Sequence, residues 1–266
     1  MRKPAICFID SGIGGLSILM EVNQMLPNCD LIYCADKEYF PYGALTDEVI
    51  IERVASLANY LENQHHFDIL VVACNTASTI VLPKLREILK KPVVGVVPAI
   101  KPAAQKSTAK HISLLATEAT IKRPYTDQLV EDFAKNVTVD RLGSNKLVSI
   151  AEDKLLHGKI DVAELENILR PIIESSSDVI VLACTHFPFL KPEIIKLMGE
   201  GKEIVDSGHA IARRVKQLLD ETNANFDEKE IPSLYFGATE GIEEYKNLSS
   251  NFQHLDNVEF FSISLK

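Results

Sequence analysis

Two stretches of this chain follow one pattern: an aspartate, four aliphatic residues, an alanine and a cysteine. They are Asp68-Ile69-Leu70-Val71-Val72-Ala73-Cys74 and Asp178-Val179-Ile180-Val181-Leu182-Ala183-Cys184. A short apolar run bounded by a polar residue and a turn reads as a strand buried on both faces. Such strands belong to parallel sheets, whose faces must both be covered by helices. Each cysteine is followed by polar side chains and a break: Cys74-Asn75-Thr76 and Cys184-Thr185-His186-Phe187-Pro188.

The rest of the chain fits the same layering. Strand-like runs at 5–9, 30–35, 69–73 and 93–97 alternate with helical patterns at 16–25, 47–64 and 78–89. A second series follows, with strands at 111–116, 137–141, 179–183 and 203–205 and helices at 125–133, 163–173 and 192–197. The landmarks recur in register: 107 residues separate Asp10 from Thr117, 110 separate Cys74 from Cys184, and 108 separate Pro98 from Asp206. This predicts a duplicated α/β unit, against the plainer reading that any α/β chain shows similar spacing. A helix over 211–219, a strand over 234–237, a helix over 240–248 and a strand over 258–263 return the chain to the first half. The expected fold class is α/β, with two pseudo-symmetric α/β domains, mainly parallel sheets and an interdomain active-site cleft. The first domain is residues 1–97 plus 208–266, and the second is 98–207. The helices over 47–64 and 125–133 are amphipathic enough to be core faces, and the polar, acidic stretch 222–232 reads as a surface loop.

Charge and composition remove several classes. A net charge of −9 without a cluster of Lys and Arg argues against a nucleic-acid surface. No apolar run approaches the roughly 20 residues that span a membrane, and residues 4–9 are too few for a signal-peptide core. The expected location is cytoplasmic. The five cysteines form no CxxC pair and the seven histidines are scattered, so neither a disulfide framework nor a metal site is expected.

A thiol at the carboxyl end of a parallel strand faces the crevice where open α/β sheets bind ligands. Core packing is the ordinary reading of one such cysteine. Two at equivalent positions, each with polar followers, read as a pair of acid/base groups, Cys74 and Cys184. Asn75, Thr76, Thr185 and His186 bring donors beside them. The run Asp10-Ser11-Gly12-Ile13-Gly14-Gly15 takes a strand into a glycine-rich turn whose N–H groups suit an anion; a plain helix cap is the alternative. This spacing is not GxGxxG, and no acidic residue sits well placed on the second strand end to hold a ribose, so no nicotinamide cofactor is expected. Phe40-Pro41-Tyr42-Gly43 is a rigid turn able to present backbone N–H groups. His186 follows Cys184 by two, and alternation in an extended segment puts both on one face to relay a proton; Asp10 serves Cys74 likewise. A cysteine-protease triad would leave one thiol unexplained, and no lysine motif argues for a Schiff base.

Asp10-Ser11-Gly12-Ile13-Gly14-Gly15-Leu16-Ser17, Pro41-Tyr42-Gly43, Ala73-Cys74-Asn75-Thr76-Ala77-Ser78 and Leu182-Ala183-Cys184-Thr185-His186-Phe187-Pro188 together resemble the glutamate racemases, more closely than the related aspartate racemases. The resemblance spans both halves in order. It implies a cofactor-free 1,1-proton transfer between L- and D-glutamate, supplying D-glutamate for peptidoglycan. Cys74 would serve the D-isomer's hydrogen and Cys184 the L-isomer's, with Asp10 and His186 assisting. It further implies Asp10, Ser11, Tyr42, Gly43, Asn75, Thr76, Thr185 and His186 as substrate ligands, adds Thr117 and Thr120, and sets Glu152 near the ammonium group. The chain departs from the pattern at Lys122-Arg123-Pro124, at Gly143-Ser144-Asn145 and at Phe187, which bears on substrate contacts and regulation. It begins about four residues before its first strand, so activation by a nucleotide precursor is not expected. The expected partner is a small-molecule substrate, with no nucleic acid and no membrane, and the assembly is open between monomer and homodimer. An aspartate racemase-type enzyme and a non-catalytic amino-acid-binding protein are the alternatives.

Overall fold

Residues 5–10 are all apolar except the last, and they form a strand, Ala5–Asp10 (β1), buried along its whole length. This computed structural model describes residues 3–221, 232–248 and 257–265. The cysteine-bearing runs form Ile69–Val72 (β3) and Val179–Ala183 (β7), again buried throughout, as strands covered on both faces must be. Asp30–Ala35 (β2), Val93–Gly95 (β4), His111–Ala116 (β5), Thr138–Gly143 (β6) and Glu203–Val205 (β8) complete the two series. Ser233–Ala238 (β9) and Asn257–Ser262 (β10) come last.

Every strand pairing is parallel. One sheet runs β10-β9-β2-β1-β3-β4 and the other β6-β5-β7-β8. The order 2-1-3-4 thus occurs twice, the form that the recurring landmarks predict. The chain divides into two compact units, Met1–Val96 with Gly208–Lys266, and Val97–Ser207.

In the first unit, the helix Asp47–Gln64 buries Ile50, Val54, Leu57, Ala58 and Leu61, one face at helical spacing. That face joins a cluster with Cys7, Ile9, Ile32, Cys34, Leu70 and Val72. Burying each large aliphatic stabilises by about 1.5–3 kcal/mol. In the second unit, Ile100, Ala103 and Ala104 pack with Ile112, Leu114, Val179 and Val181. The aspartate that opens each cysteine strand has one job in both units. Asp68 Oδ2 accepts from Ala5 N at 2.9 Å and so fixes the start of β1. Asp178 accepts from Ser107 Oγ, Thr108 N and Ala109 N and so fixes the approach to β5.

Several local expectations need correction. The helix expected over 78–89 is two, Asn75–Ser78 and Leu82–Ile88, because Pro83 carries no N–H to continue a helix but fits a first turn. The strand expected over 93–97 ends at Gly95. The helix Pro124–Phe133 turns Thr126, Leu129 and Val130 to the core of the second unit, while Tyr125 and Phe133 at its ends are 36% and 42% exposed. Three helices were not foreseen, Ile100–Lys106, Glu118–Lys122 and Lys146–His157. The last had a readable signal: Leu147, Ile150 and Ala151 recur at helical spacing, and Gly158 ends it at φ +66°. The expected loop over 222–232 falls almost wholly outside the described residues.

Candidate active site

In a 2-1-3-4 sheet the strand order reverses between the first and third strands, and ligands bind outside the carboxyl ends of the strands at that switch point. In the first unit, β1 and β3 are neighbours, with Ile9 opposite Val72. Asp10 and Ser11 leave β1 there, and Cys74 follows β3. In the second unit, β5 and β7 are neighbours, with Ala116 opposite Ala183. Thr117 leaves β5 there, and Cys184 follows β7. Each sheet therefore presents a buried thiol and a polar partner at its own switch point.

Asp10 is fully buried. Its Oδ2 accepts from Gly15 N at 2.7 Å, closing the glycine turn. The Tyr33 hydroxyl donates to the Gly12 carbonyl at 2.9 Å and lies 3.4 Å from the same carboxylate oxygen. Gly15 has no room for a side chain: a Cβ would stand 2.8 Å from Ala73 Cβ and 2.9 Å from the Ala73 carbonyl. Beside Cys74, Asn75 is 3% exposed. Its amide Nδ2 has no hydrogen-bond partner among the described residues. A buried donor left unmade costs about 1–3 kcal/mol, which a ligand oxygen placed there would recover. Thr76, Ser11 and Thr185 are buried.

In the second unit, the Cys184 sulfur lies 3.9 Å from His186 Nδ1, and His186 Nε2 lies 3.2 Å from Glu152 Oε1. Burial lowers the imidazole, but hydrogen bonds and charge from Cys184 and Glu152 outweigh it and push His186 up to about 10. A protonated imidazole thus stands between thiol and carboxylate. The expected route to this pairing was wrong in detail, since residues 184–186 bend rather than extend and His186 is helical at φ −75°. Glu152 was tied by resemblance to the ammonium group; the structure brings it to His186. Thr117 caps the helix Glu118–Lys122, with the Thr117 and Thr120 hydroxyls 2.9 Å apart. Burial holds the thiols of Cys7, Cys29 and Cys34 up, Cys29 at about 12.

Tyr42 and Gly43 lie in a short 3-10 helix, Tyr42–Ala44, after a cis Phe40-Pro41 bond. The Tyr42 hydroxyl is engaged, donating to Asp36 Oδ2 at 2.6 Å, which leaves its backbone to meet a ligand. Asp36 was missed. Asp36 directly follows β2. Its oxygens are taken up by Arg53, Tyr42 and Thr239 rather than offered to a ribose. No group of three or more His, Cys, Asp or Glu among the described residues is arranged to hold a metal ion. No described helix is long and apolar enough to cross a membrane.

A family model described as Asp/Glu/Hydantoin racemase matches residues 16–215. A glutamate racemase of Aliivibrio fischeri is 52% identical over 232 residues, 87% of this chain and 86% of that protein. One from Vibrio parahaemolyticus is 47% identical over 246 residues, 92% of this chain and 90% of that protein. The crystal structure of Escherichia coli glutamate racemase with L-glutamate and the activator UDP-MurNAc-ala aligns at a TM-score of 0.89 and 37% identity, covering 99% of this chain and 100% of that one. Fold, thiol placement and these matches define an isomerase, an amino-acid racemase. The chain belongs to the Asp/Glu/hydantoin racemase family.

Proposed function

We propose that the chain is a cofactor-independent glutamate racemase in which Cys74 and Cys184 act as opposed bases. One thiolate takes the α-hydrogen as a proton, so an S–H bond forms, the Cα–H bond breaks and its electron pair stays on the α-carbon and carboxylate. The other thiol then gives its proton to the opposite face. After one turnover the two sulfurs have exchanged protonation states. The observation that carries this reading is a buried thiol at the switch point of each of two like-ordered parallel sheets. Paired bases must have acidities matched to each other and to the working pH.

Supporting roles follow from the chemistry around each sulfur. His186, charged and held by Glu152, donates to or accepts from Cys184 between turnovers. Asp10, oriented by Gly15 N, does the same for Cys74. The Asn75 amide and the N–H groups of the Ser11–Gly15 and Tyr42-Gly43 turns bind the carboxylates, where fixed donors stabilise the carbanion-like transition state. Thr76, Thr117, Thr120 and Thr185 supply further hydroxyls. The crystal structure of the Francisella tularensis glutamate racemase with D-glutamate, 25% identical at a TM-score of 0.80, supports glutamate as the substrate class. D-glutamate for peptidoglycan, made in the cytoplasm, is the role that fits such an activity.

The test is Cys74→Ser and Cys184→Ser, assayed with L- and D-glutamate and with both aspartate isomers. The reading expects glutamate turnover by the parent protein and its loss in each variant. Turnover of aspartate in place of glutamate moves the chain to the sibling activity, and glutamate binding that survives with no turnover in the parent favours an amino-acid-binding protein.

A further inference from the structure

The loop after β2 is held by a buried charge network. Asp36 is fully buried, and its own N–H donates to the Asp10 carbonyl at 2.8 Å. Arg53, from the helix Asp47–Gln64, donates to Asp36 Oδ1 through Nη2 at 2.7 Å and to Oδ2 through Nε at 3.0 Å. Its guanidinium also stacks 4.1 Å from the Tyr39 ring centre. Thr239, just past β9, donates its hydroxyl to Asp36 Oδ1 at 3.0 Å, its N–H to the Ala35 carbonyl at 3.1 Å, and accepts from Glu38 N at 3.1 Å. Lys37 pairs with Glu244 from the same returning segment.

The fourth arm of this network is the Tyr42 hydroxyl, bound to Asp36 Oδ2 at 2.6 Å. Burial, and after it the charge and hydrogen bond of Asp36, push the Tyr42 hydroxyl well above its ordinary value, so it remains a donor. Asp36 thereby joins three elements: the helix that follows it, the Tyr42-Gly43 turn, and the segment that returns to the sheet after residue 232, about 200 residues on. A buried carboxylate needs about this many donors to offset its desolvation. Among these donors the phenol ties the turn's first residue to the carboxylate.

We propose that Asp36, fixed by Arg53 and Thr239, is a positioning residue that holds the Tyr42-Gly43 turn in its ligand-binding form. This rests on the reading that the turn binds glutamate. The returning segment is then part of the site's support, because Thr239 completes the shell that aims Asp36 at Tyr42. Groups held this way keep ligand-facing donors within the tolerance that binding requires.

Tyr42→Phe removes only the hydroxyl, and Thr239→Val removes only one arm with little change of shape. Both are expected to raise KM for glutamate in both directions, by about tenfold for Tyr42→Phe, with kcat changed less than about threefold. Thr239→Ser, which keeps the hydroxyl, is expected to restore KM. Hydrogen exchange of the amides of residues 40–45 in the ligand-free protein is expected to speed up in Tyr42→Phe and Thr239→Val and to return with Thr239→Ser. A lowered melting temperature with unchanged KM and unchanged exchange in the turn would overturn the proposal and leave the network a structural one. If the parent protein turns over no glutamate, that failure falls on the functional reading. The exchange result still decides whether Asp36 positions the turn.

Discussion

Glu152 Oε1 lies 3.2 Å from His186 Nε2, and both side chains are buried. The imidazole's other nitrogen is turned to the Cys184 sulfur, so the carboxylate fixes both the ring's orientation and its charge. His186 is pushed from an ordinary 6.5 to about 10, against burial, by its bonds to Cys184 and Glu152. A group raised on folding contributes stability that is complete below its unfolded value and is lost as pH rises through its folded value. The parent protein should therefore lose unfolding free energy between about pH 6.5 and 10, and Glu152→Gln should lose less of it. Urea unfolding at several pH values measures this; parallel pH dependence in the two proteins would contradict the pairing.

Each thiol should show a preferred substrate face. Either Cys→Ser change should reduce racemisation by about a hundredfold or more, because a serine hydroxyl is a far weaker acid/base group. Elimination from a glutamate bearing a β-leaving group needs only one proton removal. It should survive from the L-isomer in Cys74→Ser and from the D-isomer in Cys184→Ser. Equal and complete loss from both isomers in both variants would remove the face assignment.

Among the described residues, the buried amide Nδ2 of Asn75 meets no hydrogen-bond partner. Asn75→Ala should change unfolding free energy by less than about 1 kcal/mol, because it deletes an unsatisfied group along with its packing. The same change should raise KM for glutamate by about tenfold, as a lost hydrogen bond to a charged oxygen does. A large loss of stability with KM intact would make Asn75 a structural residue.

The glycine turn after β1 carries a steric requirement. Gly15→Ala would set a methyl 2.8 Å from the Tyr33 hydroxyl and from Ala73 Cβ. Overpacking of this kind costs about 1–3 kcal/mol. It should also weaken the bond from Gly15 N to Asp10, lowering activity beyond what the melting temperature explains. A variant with normal melting and normal turnover would show that the turn yields.

The strands that carry the thiols were legible because their two faces are both apolar and the pattern occurs twice, which only buried parallel strands require. The placement of Asp10, Cys74 and Cys184 at strand ends was legible from the same runs. Asp36 was not, although it stands at such an end. Its role depends on Arg53, 17 residues on, and on Thr239, about 200 residues on, and no local pattern joins them. The pairing of Glu152 with His186 hid similarly, because the helix Lys146–His157 that presents Glu152 went unrecognised.

The central claim is that this chain moves the α-proton of glutamate with its own thiols. Incubating it with L-glutamate in deuterated water, without added cofactor, and following the α-proton by NMR alongside circular dichroism tests that most directly. The account predicts decay of the optical signal to zero with deuterium entering the α-position, and loss of both effects in Cys184→Ser, which removes the base for the L-isomer. An unchanged α-proton signal and undiminished optical activity would contradict it.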